Sequence, residues 1–152
     1  FHGLVTGRPP EINLQDEKYC QSFLRDAILK NYIASSHDVS DGGLAVALSE
    51  CCILSSKGAN IQLEEINLRT DCVLFSEGGS RIIFSLNSNE ESNFLNFLKT
   101  NSKDFGPNVY VKKIGFVTEK NLDIALNEKT LCNLRVDELT EKFNNSISSS
   151  FE

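Results

Sequence analysis

The sequence predicts an α+β fold in which helices cover a mixed β-sheet. Helical and strand-like segments alternate along the 152 residues, and several strands follow one another closely enough to be hairpin partners. No internal repeat or long linker divides the chain, and its apolar fraction of 40% is enough for a core. We therefore expect residues 1–152 to form a single domain.

The spacing of apolar residues predicts where the helices and strands lie. In chain order, the predicted elements are a helix at 14–33, a strand or extended segment at 34–39, a helix from Gly43 to Lys57, a strand at 59–63, a short apolar element from residue 71, a strand at 81–86, a helix at 90–100, strands at 108–118 and 122–126, and a helix at 137–147. Asn13 is a suitable N-cap for the first helix, and Gly58 suits the left-handed position after the second. A turn at 119–121 should join the last two strands as a hairpin, and Phe143 should face inward from the last helix.

The charge of the chain argues against nucleic acid partners, and its short apolar runs argue against a membrane span. The net charge is −6 and the pI is about 5.0, so a phosphate backbone would be repelled. The only adjacent basic pair is Lys112–Lys113. No apolar run approaches the roughly 18 residues of a membrane span. Small anionic metabolites remain possible ligands, because a local site can oppose the overall field.

Cysteine and methionine usage indicates a reduced, cytoplasmic protein that belongs to a longer chain. The five cysteines are odd in number, form no CxxC pair, and include the neighbours Cys51 and Cys52, which cannot form an unstrained disulfide. With only two histidines, a zinc site is not indicated. The chain contains no methionine, so Phe1 is not a normal translation start. We expect a domain from a larger protein.

The segment DVSDGG, directly before the second helix, is the first candidate site. A helix N-terminus carries free N–H groups and partial positive charge, and Gly42 and Gly43 would let a phosphate or carboxylate approach the backbone. Asp38 and Asp41 suit ligand hydroxyls or amines, or a Mg²⁺ ion beside a phosphate. The alternative is that Ser40 or Asp41 caps the helix while the glycines only form the turn.

The segment SEGGSR, between two apolar runs, is the second candidate site. Ser76, Glu77 and Ser80 surround a Gly-Gly turn, and Arg81 at the start of a strand could bind a carboxylate or phosphate. The alternative is an ion pair between Glu77 and Arg81 that fastens the turn. One Gly-Gly loop is weak evidence for a binding site. Two such loops, one acidic and one with arginine, are better evidence that both line a shared cleft.

The other polar residues indicate no catalytic machinery in this chain. His37 could be a general base at the mouth of the first loop, or a structural residue at a strand end. No Ser-His-Asp or Cys-His arrangement is evident, so we predict no catalytic residue and no metal ligand.

The motifs HDVSDGGLAVALSE (37–50) and LFSEGGSR (74–81), in this order, resemble the C-terminal domain of the phosphoribosylformylglycinamidine synthase family of the small-subunit type, within the AIR synthase-related superfamily. The resemblance continues in FHGLVTGRPPEINLQDEK (1–18), KIGFVTEKNLDIAL (113–126) and VDELTEKF (136–143). It therefore spans essentially the whole chain, and the flanking segments favour this family over its relatives.

The resemblance implies a three-layer, partly ferredoxin-like domain of a purine-biosynthesis ligase. Such enzymes convert formylglycinamide ribonucleotide to formylglycinamidine ribonucleotide with ATP, Mg²⁺ and glutamine-derived ammonia. The implied partners are the N-terminal domains of the same chain, a glutaminase, small accessory subunits and a small-molecule nucleotide substrate. The resemblance favours ligand, nucleotide or phosphate contacts at the candidate residues, which are Asp38, Ser40, Asp41, Gly42, Gly43, Ser76, Glu77, Ser80 and Arg81. We expect this chain alone to be inactive and to hold neither ATP nor Mg²⁺.

Two alternatives stay open. The chain could be a non-catalytic interaction or regulatory module with the same fold, which would expose an apolar patch for self-association. It could also be a domain of a related ATP-dependent enzyme of the selenophosphate synthetase, thiamine monophosphate kinase or hydrogenase maturation type.

Overall fold

The structure is a computed structural model that describes residues 10–64, 67–101 and 103–146. Predictions for the chain ends, including the last predicted helical residue at 147, lie outside these ranges. The elements are α1 (Leu14–Leu29), β1 (Ile33–Asp38), α2 (Gly43–Ser55), β2 (Gly58–Leu63), α3 (Thr70–Phe75), β3 (Ile82–Leu86), a 3₁₀ turn (Ser88–Glu90), α4 (Glu91–Asn101), β4 (Gly115–Thr118), β5 (Asn121–Leu126), β6 (Lys129–Arg135) and α5 (Val136–Asn145). The predicted α+β fold with a mixed sheet and helices is confirmed.

The chain forms two compact units, and each unit is discontinuous in sequence. Unit 1 contains the residues up to Ser40 and Glu77–Tyr110, and unit 2 contains Asp41–Ser76 and the residues from Val111 onward. The chain therefore passes from one unit to the other three times. The prediction of a single domain over 1–152 stays a prediction.

Unit 1 is built on an antiparallel pair of strands, β1 and β3, with α1 and α4. Its core is aromatic, because Phe23 on α1 is only 4% exposed and its ring lies near four other rings. The ring centroids are 5.1 to 6.2 Å from that of Phe23, and the four residues are Phe84, Phe94, Phe97 and Phe105. Asn13 begins α1 as predicted, since its side-chain oxygen accepts from the N–H groups of Gln15 and Asp16.

Unit 2 contains a four-stranded mixed sheet in the order β4-β2-β5-β6. β2 is parallel to β5 and antiparallel to β4, and β6 is antiparallel to β5. α2 contacts β2, β5, α3 and α5. The buried apolar residues of this unit include Leu48, Cys52, Ile61, Leu63, Leu122, Ile124 and Val136.

Three sequence predictions about the strands and the end of α2 are wrong. The strand before residue 119 does not form a hairpin with β5, because β2 lies between β4 and β5, and only Gly115–Thr118 of the predicted 108–118 is a strand. The antiparallel partner of β5 is β6, which the apolar pattern did not indicate because most of its residues are exposed. Gly58 is not the left-handed residue after α2, since Ser56 takes that conformation with φ of 53°.

Among the described residues, no helix combines the length and the apolar character needed to cross a lipid bilayer.

Candidate functional site

The candidate residues Asp38, Ser40 and Arg81 lie at one end of the two-stranded sheet of unit 1. Asp38 at the end of β1 is opposite Ile82 at the start of β3. One residue further, the backbone N–H of Val39 donates to the carbonyl oxygen of Arg81 over 2.9 Å. Asp38 and Ser40 are exposed, and Arg81 is partly buried. The strand pairing therefore brings an acidic, a hydroxyl and a basic residue to the same end of the two-stranded sheet.

A carboxylate on α1 holds the Gly-Gly loop that leads into β3. Glu17 Oε1 accepts a hydrogen bond from the backbone N–H of Ser80 over 2.7 Å. The thiol of Cys20 donates to the carbonyl oxygen of Ser80 over 3.7 Å. Gly79 passes so close that a Cβ atom there would lie 3.0 Å from Glu17 Oε1. Residues of α1 thus contact the loop on both sides of the Ser80 Cα.

In unit 2, two glycines let α2 begin against the end of α3. Gly42 and Gly43 have left-handed backbones with φ of 79° and 71°. A Cβ atom on Gly43 would lie 2.7 Å from the carbonyl carbon of Phe75 and 2.8 Å from the carbonyl oxygen of Ser76. The candidate residues Gly43 and Ser76 are therefore in direct contact, and glycine is required for both the conformation and the space.

The start of α2 differs from the capping alternative raised by the sequence. Neither Ser40 nor Asp41 is the N-cap; Gly42 occupies that position, and no side chain makes a capping hydrogen bond there. The physical reason is the left-handed turn at Gly42, whereas a capping side chain normally requires an extended N-cap backbone. Gly43, the first residue of α2, is itself buried against the Phe75–Ser76 backbone, so the anion-site hypothesis stays a prediction.

The nine candidate residues fall into two groups, one in each unit. Both groups adjoin points where the chain passes between units, at 40/41 and at 76/77. The residues of unit 1 are Asp38, Ser40, Glu77, Ser80 and Arg81, and those of unit 2 are Asp41, Gly42, Gly43 and Ser76. The shared cleft and the Glu77–Arg81 ion pair both stay predictions.

His37 is held by its own chain neighbour. Its Nδ1 lies 2.6 Å from the carbonyl oxygen of Asp38, and because a carbonyl can only accept, Nδ1 is the donor. This contact fixes the ring at the end of β1 and favours the structural interpretation of His37 over the general-base one.

Burial raises the pKa of four thiols, which are those of Cys20, Cys51, Cys52 and Cys132. Burial, reinforced by the neighbouring Cys51, raises the pKa of Cys52 to about 11. Burial, followed by the charge of Glu17, raises the pKa of Cys20, which makes it a poor nucleophile at neutral pH. All five cysteines are free, and in the described ranges no cluster of three or more His, Cys, Asp or Glu is placed to hold a metal ion.

Glu17 is the residue that sequence reasoning missed. It lies in the first turn of α1, where an acidic residue is expected for its interaction with the helix dipole alone. Its bond to Ser80 joins residues 63 positions apart, and no local pattern announces such a contact.

Comparisons with known proteins give consistent results. The family model for AIR synthase related protein, C-terminal domain, matches residues 2–125. Two relatives, each a phosphoribosylformylglycinamidine synthase subunit PurL, come from Prochlorococcus marinus subsp. pastoris and from a second Prochlorococcus marinus strain. They are 82% and 78% identical over 99% of this chain. The chain spans only 19% of the length of these relatives.

Solved structures of Thermotoga maritima PurL share the fold. The complex with FGAR has a TM-score of 0.68 at 17% identity and is matched by 82% of this chain and 21% of its own. The complex with ATP has a TM-score of 0.67 at 16% identity, and the match covers 81% of this chain and 21% of that structure's chain. PurLQS has a TM-score of 0.71 at 16% identity, and the match covers 85% of this chain and 22% of that structure's chain. These identities show likeness of fold. Since the family model covers most of the sequence, the chain belongs to the family of AIR synthase related proteins, C-terminal domain.

Proposed function

We propose that the chain is the C-terminal domain of a phosphoribosylformylglycinamidine synthase subunit. The observation that carries this proposal is the 82% identity over 99% of the chain to such a subunit from Prochlorococcus marinus. The complete enzyme would use ATP and ammonia to convert the amide of formylglycinamide ribonucleotide into an amidine. The resemblance implies that the ammonia comes from a glutaminase partner, and the PurLQS structure from Thermotoga maritima is in keeping with a larger assembly.

Within that enzyme, the candidate residues of each unit, taken separately, would contact a phosphorylated ligand and would not carry out the chemistry. Arg81 supplies a guanidinium group suited to phosphate, and the α2 N-terminus supplies backbone N–H groups and partial positive charge. Asp38 and Asp41 suit the hydroxyl groups of a ribose. The complexes of Thermotoga maritima PurL with FGAR and with ATP support a ribonucleotide or a nucleotide as the ligand class.

The described residues do not by themselves fit a Mg²⁺ site. Asp38 and Asp41 belong to different units, and no cluster of three potential ligands occurs in the described ranges. We therefore assign Mg²⁺ and the ATP chemistry to the remainder of a longer protein, and no step here is routed through a metal. The five free cysteines are in keeping with a cytoplasmic location.

Substrate kinetics of the complete protein test the ligand-binding role. We would express the reading frame that contains residues 1–152 and measure ADP release that depends on formylglycinamide ribonucleotide and ammonium. Loss of a charge-assisted contact in Arg81→Ala should raise the KM for the ribonucleotide roughly 10- to 100-fold. Arg25→Ala is the matched control, because Arg25 is an exposed arginine on α1, and its KM should not change.

Calorimetry with residues 1–152 alone tests the domain assignment. ATP and formylglycinamide ribonucleotide should bind weakly or not at all to this chain, and should bind to the complete protein. Tight binding together with turnover by residues 1–152 would overturn the domain assignment, whereas an unchanged KM in the Arg81→Ala enzyme would overturn the ligand-binding role.

A second function, as an interaction module, has one observation in its favour. Phe116 and Val117 on the edge strand β4 are 67% and 64% exposed. Sedimentation of residues 1–152 distinguishes the two functions in part. Self-association that Phe116→Ser abolishes would favour the module, and a monomer would favour the ligase domain. The name and high identity of the Prochlorococcus relatives favour the ligase over related ATP-dependent enzymes.

A further inference from the structure

We propose that Glu17 is a positioning residue for Arg81, and that it acts by fixing the loop before β3. This inference rests on the proposed ligand-binding role of Arg81. All the residues involved, and all the contacts between them, lie within unit 1.

The first support is the way in which the backbone next to Arg81 is held. On its N-terminal side, the Ser80 N–H donates to Glu17 Oε1 over 2.7 Å. On its C-terminal side, the Arg81 carbonyl accepts from the Val39 N–H over 2.9 Å. The second bond extends the antiparallel pairing of β1 and β3 by one residue pair. The bond from Ser80 to Glu17 is a side-chain contact from α1, and it fixes the position of the loop before β3.

The second support is the conformation that the Glu17 contact maintains. Ser80 has a left-handed backbone with φ of 60°, which is unfavourable for a residue with a Cβ atom. The Ser80 N–H donates to the Glu17 carboxylate, and the Ser80 carbonyl oxygen accepts from the Cys20 thiol. These two hydrogen bonds offset the cost of the left-handed backbone. Gln21 donates to the other oxygen of Glu17 over 3.2 Å, which orients the carboxylate toward the loop.

The third support is the location of the Arg81 side chain. Its Nε lies 3.9 Å from the place where a Cβ on Gly78 would be, so the side chain lies across the loop. A shift of the loop therefore moves the guanidinium group as well as the backbone. Glu17 would not touch the ligand; it would determine where Arg81 presents its charge.

Variants of the complete protein separate positioning from a general structural effect. Glu17→Ala should raise the KM for the ribonucleotide several-fold with little change in kcat, whereas Glu17→Gln, whose amide oxygen can still accept from Ser80, should stay within about twofold of the parent. Asp26→Ala removes one carboxylate elsewhere on α1 and should leave the KM unchanged. In an Arg81→Ala background, Glu17→Ala should add nothing, because the two residues act through one contact.

Hydrogen exchange gives a second measurement that does not depend on activity. The Ser80 amide should exchange faster in Glu17→Ala than in Asp26→Ala. Unchanged exchange, or an additive effect in the double variant, would overturn the inference. If Arg81→Ala lowers affinity but Glu17→Ala does not, the positioning role fails and the proposed function stands. If Arg81→Ala itself has no effect, the binding role of Arg81 fails first and the inference falls with it.

Discussion

Gly43 meets two constraints that no other residue type satisfies together. Its φ of 71° is left-handed, and its backbone lies against the Phe75–Ser76 peptide. Sequence reasoning identified Gly42 and Gly43 as special, but for their approach to a ligand. Their contacts with Val46 and with the end of α3 depend on the tertiary structure, so sequence alone could not reveal them.

Replacing Gly43 by alanine should lower the free energy of unfolding by roughly 2 to 4 kcal/mol, because the new Cβ is strained and overlaps the Phe75 backbone. Gly78→Ala is the matched control: Gly78 has no positive φ, and the nearest atom to its Cβ position is 3.9 Å away. Urea denaturation of both variants checks the difference, and equal midpoints would contradict it.

The thiol of Cys52 should make the free energy of unfolding depend on pH in the alkaline range. Its pKa is raised to about 11 in the folded protein, above the value for an exposed thiol, because burial disfavours the thiolate. The resulting stabilisation is fully present below the unfolded-state pKa and is lost as the pH rises toward 11. The free energy of unfolding should therefore fall between about pH 9 and pH 11. Cys52→Ala should flatten this decline, and urea denaturation of both proteins at a series of pH values between about 8 and 11 checks it.

Among the secondary-structure elements, α1 was the one best predicted from sequence. Its N-cap, acidic first turn and apolar spacing agree in one short segment, so local information suffices. The predicted end at residue 33 is wrong: α1 stops at Leu29, because Asn31 has a left-handed backbone with φ of 58°. Strand partners were predicted poorly, because the pairing of β2 with both β4 and β5 is decided between distant segments. Phe143, predicted to face inward, is 57% exposed.

Because Phe23 lies in the aromatic cluster of unit 1, its side chain should contribute far more to the free energy of unfolding than that of an exposed phenylalanine. Phe23→Ala removes a buried ring with four aromatic neighbours and should destabilise the fold by about 3 to 5 kcal/mol. Phe143→Ala should cost less than about 1 kcal/mol. Thermal unfolding followed by circular dichroism compares the two variants, and a similar loss in both would mean that the cluster does not carry the core of unit 1.

For the whole molecule, the two units share the chain in alternating segments. The sequence predicted the fold class because that depends on the succession of element types. It could not reveal the division into units, since Ser40–Asp41 and Ser76–Glu77 carry no linker composition. The candidate residues were identified from motifs, but their allocation to separate units required the structure.

Truncation after Tyr110 should affect the two units differently. Unit 1 keeps both of its segments, whereas β2 loses β4 and β5, which lie beyond the cut. Amides of residues 58–63 should therefore lose protection against hydrogen exchange, and those of residues 82–86 should keep it. Protected amides at 58–63 in the truncated chain would contradict this expectation.

The alternation of segments also has a consequence during synthesis. When β1 leaves the ribosome its partner β3 has not been translated, because β3 begins only at Ile82 and the first segment of unit 2 comes between them. Unit 1 therefore stays incomplete, with the apolar face of α1 uncovered, while α2 and β2 are synthesised. In the same way, β2 has no strand partner until β4 and β5 have been made. Neither unit can be completed before the other has begun, so we expect the partly synthesised chain to expose apolar surface that favours aggregation.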